Sequence, residues 1–253
     1  MPSESLEDYS DMKLTNTDFW DNGYAVQKFS AEDANYPIVK KLHSFFNQDK
    51  FKNKTVFEIG CFPGRFLFHF GKIGFKLNGI DQTQYLPKMM AWFEKENFLI
   101  GDFVREDIFN LDLNHKKYDV VFSSGFIEHF RNFDEVIKIH VKLVKDDGYI
   151  FISTPNFAGS AQSFLHSILD KENLKAHYLP SMDYQKWKKI LLENNFEILE
   201  GGYIGGFDFW SANKNILARI ITKIIRIIFG WRFLPNSQIY SPEIFIIAKK
   251  KNK

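Results

Sequence analysis

Short continuous apolar runs alternate along the chain with longer segments in which apolar residues return every three to four positions. The runs predict strands at 56–59, 75–80, 103–108, 118–124, 148–154, 195–199 and 243–248. The periodic segments predict helices at about 36–46, 64–71, 85–96, 133–144 and 183–194. Strand and helix in alternation make a parallel, doubly wound α/β sheet, which binds ligands at the carboxyl ends of its strands. With 253 residues, 45% hydrophobic and 17% aromatic, the chain can bury a full core. A single domain over 1–253 is expected, with a helical cover at 1–50, a cofactor-binding core at 51–157, and a lid, substrate region and closing strands at 158–253.

The first strand carries the most specific chemistry. Val56, Phe57, Glu58 and Ile59 run into Gly60, and the chain turns through Cys61, Phe62, Pro63 and Gly64 before apolar residues resume at helical spacing. A buried strand that breaks at glycine and re-enters a helix brings backbone N–H groups and a positive helix end to a ligand. The competing reading is an ordinary tight strand-to-helix connection. The second strand stops at Asp81, followed by Gln82, where an acid would accept hydrogen bonds from a ribose. A nicotinamide fingerprint requires Gly-x-Gly-x-x-Gly, but Phe62 stands at the middle position and the third glycine is missing. Glu58 would repel a pyrophosphate at close range, so it favours a ligand carrying an amino group.

The stretch from Glu58 to Gly64 resembles motif I of the class I S-adenosylmethionine-dependent methyltransferases, with Phe62 replacing the family's central glycine. Three later segments follow in the family's order. Residues 103–108 resemble the third strand ending in the acid that takes the adenine amino group, here Asp107 with Ile108 after it; Asp102 competes for the role. Tyr118 to Ser124, continuing into Glu128 and His129, resembles the fourth strand and its Leu-Glu-His type continuation. Gly148 to Asn156 resembles the fifth strand and its Thr-Pro-Asn turn. The resemblance implies a seven-stranded Rossmann-like methyltransferase sheet with the last strand antiparallel. It implies S-adenosylmethionine as cofactor, S-adenosylhomocysteine as product, and contacts from Glu58, Gly60, Cys61, Phe62, Pro63, Gly64, Asp81, Gln82, Asp107, Ile108 and Ser124.

Methyl transfer from a sulfonium is an in-line displacement, so the protein's main task is positioning. A hydroxyl acceptor also needs a base, and a histidine titrating near neutrality suits it. His129 is the first candidate, with Glu128 as orienting or alternative base. Residues 154–180 form an expected lid after the fifth strand, and Asn156, His166, His177 and Tyr178 are its candidate substrate contacts. His166, His177 and Asp183 are reserve catalytic candidates; His43, His69, His115 and His140 have weaker cases. Small-RNA 2′-O-methyltransferases hold a divalent ion with Glu-x-x-Glu-His on the segment after the fourth strand. Here Gly125 takes the first position, leaving one carboxylate and one imidazole, so no metal is expected. Nucleobase amino-methyltransferases carry an Asn/Asp-Pro-Pro-Tyr/Phe turn where this chain has Ser123, Ser124, Gly125 and Phe126.

Charge narrows the partners. Thirty-three basic against 31 acidic side chains give a net charge of +2, with no broad footprint for nucleic acid. A single cysteine, Cys61, excludes an internal disulfide and suits a reducing cytoplasm; residues 1–14 contain no apolar run of signal-peptide length. At 215–234, Arg219, Lys223 and Arg226 share one helical face opposite Ile and Leu. No span of the membrane is expected there; the Ile face is expected to pack on the sheet or on a second copy, as in a homodimer, with contact to an anionic membrane as the alternative. For the acceptor, Glu-His after the fourth strand and Ser-Thr-Pro-Asn after the fifth resemble methyltransferases of bacterial surface-polysaccharide synthesis. That resemblance favours O-methylation of a capsule sugar hydroxyl, heptose-type and nucleotide-linked, over a capsular phosphoramidate or a quinone-type phenol. A non-catalytic cofactor-binding module on the same fold is the alternative class.

Overall fold

The computed structural model describes residues 13–15, 17–25, 27–113, 116–211, 215–229 and 234–252. In chain order the elements are α1 (Thr17–Tyr24), α2 (Pro37–Phe46), β1 (Thr55–Ile59), α3 (Arg65–Lys72), β2 (Lys76–Asp81), α4 (Leu86–Lys95), β3 (Leu99–Arg105), β4 (Tyr118–Ser124), α5 (Phe133–Leu143) and β5 (Val144–Pro155). There follow α6 (Ser160–Leu169), α7 (Lys171–Lys175), α8 (Tyr184–Glu193), β6 (Phe196–Ile204), α9 (Ile216–Phe229) and β7 (Glu243–Lys250). The strands form one seven-stranded sheet in the order β3-β2-β1-β4-β5-β7-β6. β1 to β5 pair in parallel, and β7 runs antiparallel to both neighbours, β5 and β6. The expected α/β sheet and its reversed last strand are therefore present.

Alternation along the strands divides the core between the two faces. Phe57, Ile59, Val121, Ile150, Ile152, Ile244 and Ile246 meet α5 and α8 through Val136, Ile137, Trp187 and Leu191. Val56, Val120, Phe122, Phe151, Phe245 and Ile247 meet α2, α3 and α4 through Ile38, Leu42, Phe46, Phe70 and Phe93. Rings lock the second layer, with centroids 5.6 Å apart for Phe46–Phe70, 5.4 Å for Phe70–Phe122 and 5.1 Å for Phe122–Phe151. Each such pair adds about 0.5–1.5 kcal/mol beyond area burial. The effect is to hold α3 rigidly beneath the turn that leaves β1.

His140 ties α5 to β4. Its Nδ1 lies 2.8 Å from the Val136 carbonyl, which can only accept, so Nδ1 carries the proton and Nε2 accepts from the Ser123 hydroxyl at 2.9 Å. Burial pushes the imidazole down to about 4. Because the folded value lies below the unfolded one, the unfolded chain binds more protons between pH 6.5 and 4, and stability drops as pH falls through that window. This group alone should remove about 2 kcal/mol between pH 7 and pH 5. Urea titrations at the two pH values should show a loss smaller by that amount in His140→Gln; equal losses in both proteins would refute it.

Three strands differ in their bounds from the sequence reading: β3, β6 and also β5, which begins at Val144 rather than at 148. The third strand is Leu99–Arg105, so Asp107 lies past its end, where it caps a short 3-10 turn by accepting from Phe109 N–H at 3.2 Å. β6 runs on to Ile204, because β7 pairs with it along its whole length.

Candidate active site

β1 ends in Gly60 because the turn needs a left-handed residue there (φ +70°), and a Cβ at that position would stand 2.3 Å from the Phe126 ring. The N–H groups of Gly60 and Cys61 both point to the Ile80 carbonyl, at 2.9 and 3.1 Å, which ties the turn to the tip of β2. Asp81 completes the joint, its carboxylate accepting from Phe62 N–H at 3.1 Å and Thr83 N–H at 3.0 Å. Burial pushes Asp81 up to about 6, against the lowering effect of those N–H groups and that of Gln82. Gln82 accepts from the Thr17 hydroxyl at 2.6 Å, so α1 is fastened to the same spot.

These residues border a cavity of about 360 Å³. Its floor and cofactor-side wall come from Gly60, Phe62, Pro63, Ile80, Asp81, Gln82, Glu106, Ile108 and Ser124. Its other wall comes from Trp20, Tyr24, Phe66, Phe126, His129 and Phe130, with the cations Lys13 and Arg65 at its margins. The N-terminal segment covers the opening: Lys13 bridges to Phe130, Leu14 N–H donates to the His129 carbonyl at 2.9 Å, and the Trp20 ring meets the His129 imidazole edge-on at 4.9 Å.

Several expected contacts fall outside the cavity lining. Glu58 is buried beneath the turn, its carboxyl pushed well up by burial and by Asp81, with the Leu67 N–H opposing. Cys61 and Gly64 are taken up by packing; a Cβ at Gly64 would meet the Phe93 ring at 2.5 Å. Asp107 is ion-paired to Lys13, and the neighbouring Glu106 lines the cavity in its place. Asp102 lies within β3, paired to Lys116 and away from the cavity. Among the proposed substrate contacts, Asn156 is a buried clasp that donates to the carbonyls of Gln238 and Ser241, both at 2.9 Å. His166 is buried against Phe157, ring centroids 3.8 Å apart, with Nδ1 3.5 Å from Asp170. Tyr178 packs beneath Arg131, and its N–H donates to the Glu128 carbonyl. Asp183 caps α8 by accepting from Gln185 N–H at 2.9 Å. His43 and His69 pair with each other at 3.1 Å. His115 lies outside the described residues.

His129 does reach the cavity. Its Nδ1 stands 2.8 Å from the Ala176 carbonyl, so Nδ1–H donates and the lone pair sits on Nε2. Burial, and then the neighbouring His177, push the imidazole down to about 3, so it is neutral at physiological pH and does not titrate near neutrality as expected. Glu128 is fully buried and does not line the cavity; burial pushes its carboxyl up to about 8. His177 was expected in a lid but packs at 4.8 Å, centroid to centroid, against His129. The cover residues Trp20, Tyr24, Lys13 and Arg65 were not singled out in the sequence. The only signal was the aromatic pair Trp20 and Tyr24 at helical spacing.

Residues 30–200, more than half of the chain, match the family profile described as a methyltransferase domain, and the chain belongs to that family. It is an S-adenosylmethionine-dependent methyltransferase. In sequence it is similar to the ubiquinone biosynthesis O-methyltransferase of Pelagibacter ubique, 26% identical over 203 residues that cover 75% of this chain and 82% of the relative. It is also similar to the enzyme of the same name from Rickettsia conorii, 28% identical over 63% of this chain, though spanning only 56% of that protein. In structure it resembles the N-methyltransferase NodS of Bradyrhizobium japonicum in complex with S-adenosylhomocysteine, with a TM-score of 0.58 at 13% identity, covering 94% of this chain and 100% of that one.

The cavity fits the cofactor. Asp81 presents a carboxylate at the tip of β2, already oriented by two backbone N–H groups. Glu106 and Ile108 border the cavity just past β3. Arg65, at the start of α3, also borders the cavity, where it is paired to Glu32 at 3.4 Å.

Proposed function

We propose that the enzyme methylates a phenolic hydroxyl of a flat, quinol-type acceptor. The observation that carries this reading is the aromatic wall of the cavity, formed by Trp20, Tyr24, Phe66, Phe126 and Phe130 around a single imidazole. Such a wall suits a planar ring, which gains stacking and desolvation against it. Polar side chains line the cavity as well, among them Thr15, Gln27 and Glu32, so the preference for a phenol rests on the aromatic wall. The names of the Pelagibacter and Rickettsia relatives agree with the phenol and give no support to the capsule sugar or the phosphoramidate.

The cofactor supplies a methyl group on a positively charged sulfur, and the chain supplies the geometry. Asp81 and the turn at Gly60 fix one end of the cavity. Trp20 and Tyr24 of α1 lie over the cavity, and His129 offers a neutral Nε2 to the acceptor hydroxyl. Transfer to oxygen converts the sulfonium to a thioether and releases the hydroxyl proton.

The acceptor in this reading is carried by a membrane, and α9 supports it. The Ile face of α9 was expected to pack on the sheet or on a second copy; within the chain Ile216, Leu217, Ile220, Ile224 and Ile227 are between 48% and 75% exposed, while Ala218 faces inward, so the stripe does not pack on the sheet. Arg219 and Lys223 flank this stripe, and Arg226 ties the helix to Asp208 at 2.9 Å. An exposed apolar stripe edged by cations matches an anionic lipid surface. Among the described residues no helix is long and apolar enough to cross a membrane. Residues 230–233 of the expected basic segment lie outside the described residues. We place the enzyme at the cytoplasmic face of a membrane.

The test is a methylation panel with deuteromethyl-labelled cofactor. A polyprenylated catechol in anionic vesicles, a soluble catechol, nucleotide-linked heptoses, a sugar phosphoramidate and a lysine amine are offered in parallel. The reading predicts label on the catechols, fastest on the vesicle-borne one. Label on a sugar, phosphoramidate or amine with none on a catechol would overturn it.

A further inference from the structure

Glu128 is anomalous in this molecule. The carboxyl group is 0% exposed, and neither oxygen has a hydrogen-bond partner among the described residues. A buried carboxyl group with neither oxygen partnered is costly whether ionised or protonated, and native structures pair such groups or bind a cation to them. Two imidazoles stand beside it. One ligand atom from each of Glu128, His129 and His177 lies within 4.8 Å of the others. The two histidines are also prepared in the same way. His129 commits Nδ1–H to the Ala176 carbonyl at 2.8 Å, and His177 commits Nδ1–H to the Asn173 carbonyl at 2.6 Å. Both carbonyls lie on or just after α7, which leaves Nε2 as the lone-pair nitrogen of each ring; the Gly125 carbonyl also lies near the His129 imidazole. Imidazoles that bind metal are held this way, the second nitrogen donating to a backbone carbonyl that fixes tautomer and orientation.

We propose that Glu128, His129 and His177 form a three-ligand site for a divalent transition-metal ion, open on the side where His129 lines the cavity. Three protein ligands with one vacant position is the arrangement of a catalytic rather than a structural ion. Two imidazoles and one carboxylate select zinc, iron or cobalt over magnesium, which prefers oxygen ligands. Ligands held at ~2.1 Å from a common ion stand no more than about 4.2 Å apart, so the set closes on an ion by side-chain shifts of under about 1 Å. The sequence count stopped at two ligands because His177 reaches the pair only through the fold. The N–H of Tyr178, the next residue, donates to the Glu128 carbonyl at 2.7 Å and draws the segment after α7 onto the Glu128–His129 turn. An ion there would take the acceptor hydroxyl into its vacant position and make it more acidic.

The test uses the full chain, stripped with chelator and titrated with Co²⁺ without cofactor or acceptor, so its outcome is separate from that of the methylation panel. One equivalent should bind, with a visible absorption band of the intensity given by low-coordinate cobalt and with displacement by Zn²⁺. Glu128→Gln and His177→Ala should each weaken binding at least tenfold, while His43→Ala, at the separate His43–His69 pair, should leave it unchanged. Circular dichroism and S-adenosylhomocysteine affinity report whether each variant is folded. The wild-type titration stands alone if a variant is not. Absence of a saturable one-to-one cobalt complex in wild type, an equal preference for Mg²⁺, or loss of binding on His43→Ala would each overturn the site.

Discussion

His129→Ala is expected to lower kcat by about 10²–10⁴ while cofactor affinity stays within about threefold of wild type. Among the described residues His129 supplies the only imidazole in the cavity lining, and its ring is held by the Ala176 carbonyl on one side and the Trp20 edge on another. Among the described residues no hydrogen bond or ring contact joins that ring to Gly60 or Asp81, so cofactor binding should be spared. Two ways of acting predict different companions to the loss. If His129 takes the proton itself, added imidazole should restore part of the rate, and His177→Ala should be mild. If it holds an ion, His177→Ala should cost about as much as His129→Ala, and chelation of the wild type should reproduce both. Near wild-type kcat in His129→Ala on a verified acceptor would remove the residue from the chemistry altogether.

The strands were legible because each is a short apolar run closed by glycine or an acid, and a sheet buried on both faces allows little else. The tips of β1 and β2 were legible for the same reason: the glycine turn at Gly60 and the acid at Asp81 are local features. The acceptor end was legible only in outline, as a helical cover at 1–50, and not in its residues. The cover at Trp20 and Tyr24 sits on an eight-residue helix whose apolar pattern is too short to stand out. Its place over the site depends on long-range contacts, Thr17 to Gln82 and Lys13 to Asp107. His177 looked like a lid residue because α6 and α7 follow β5 as a mixed, polar segment, yet the segment folds back onto Glu128. α9 was legible in part. Its periodicity was read correctly, but periodicity gives a helix two faces without saying which one the protein covers. The structure turns Ala218 inward and leaves the isoleucines out.

Asp81→Ala is expected to weaken cofactor binding by about 1.5–3 kcal/mol, roughly tenfold to a hundredfold. The carboxylate borders the cavity at the tip of β2 and is the place where a ribose would be held. It also accepts from the Phe62 and Thr83 N–H groups, so its removal both deletes the ligand contact and loosens the turn. Asp81→Asn keeps a carbonyl oxygen for one of those N–H groups, and its effect should fall between wild type and alanine. Calorimetric titration of the full chain with S-adenosylhomocysteine therefore tests the whole account of the crevice most directly. One site per chain is predicted, weakened in the order Asp81→Asn then Asp81→Ala. No binding by wild type, or binding that Asp81→Ala leaves unchanged, would contradict it.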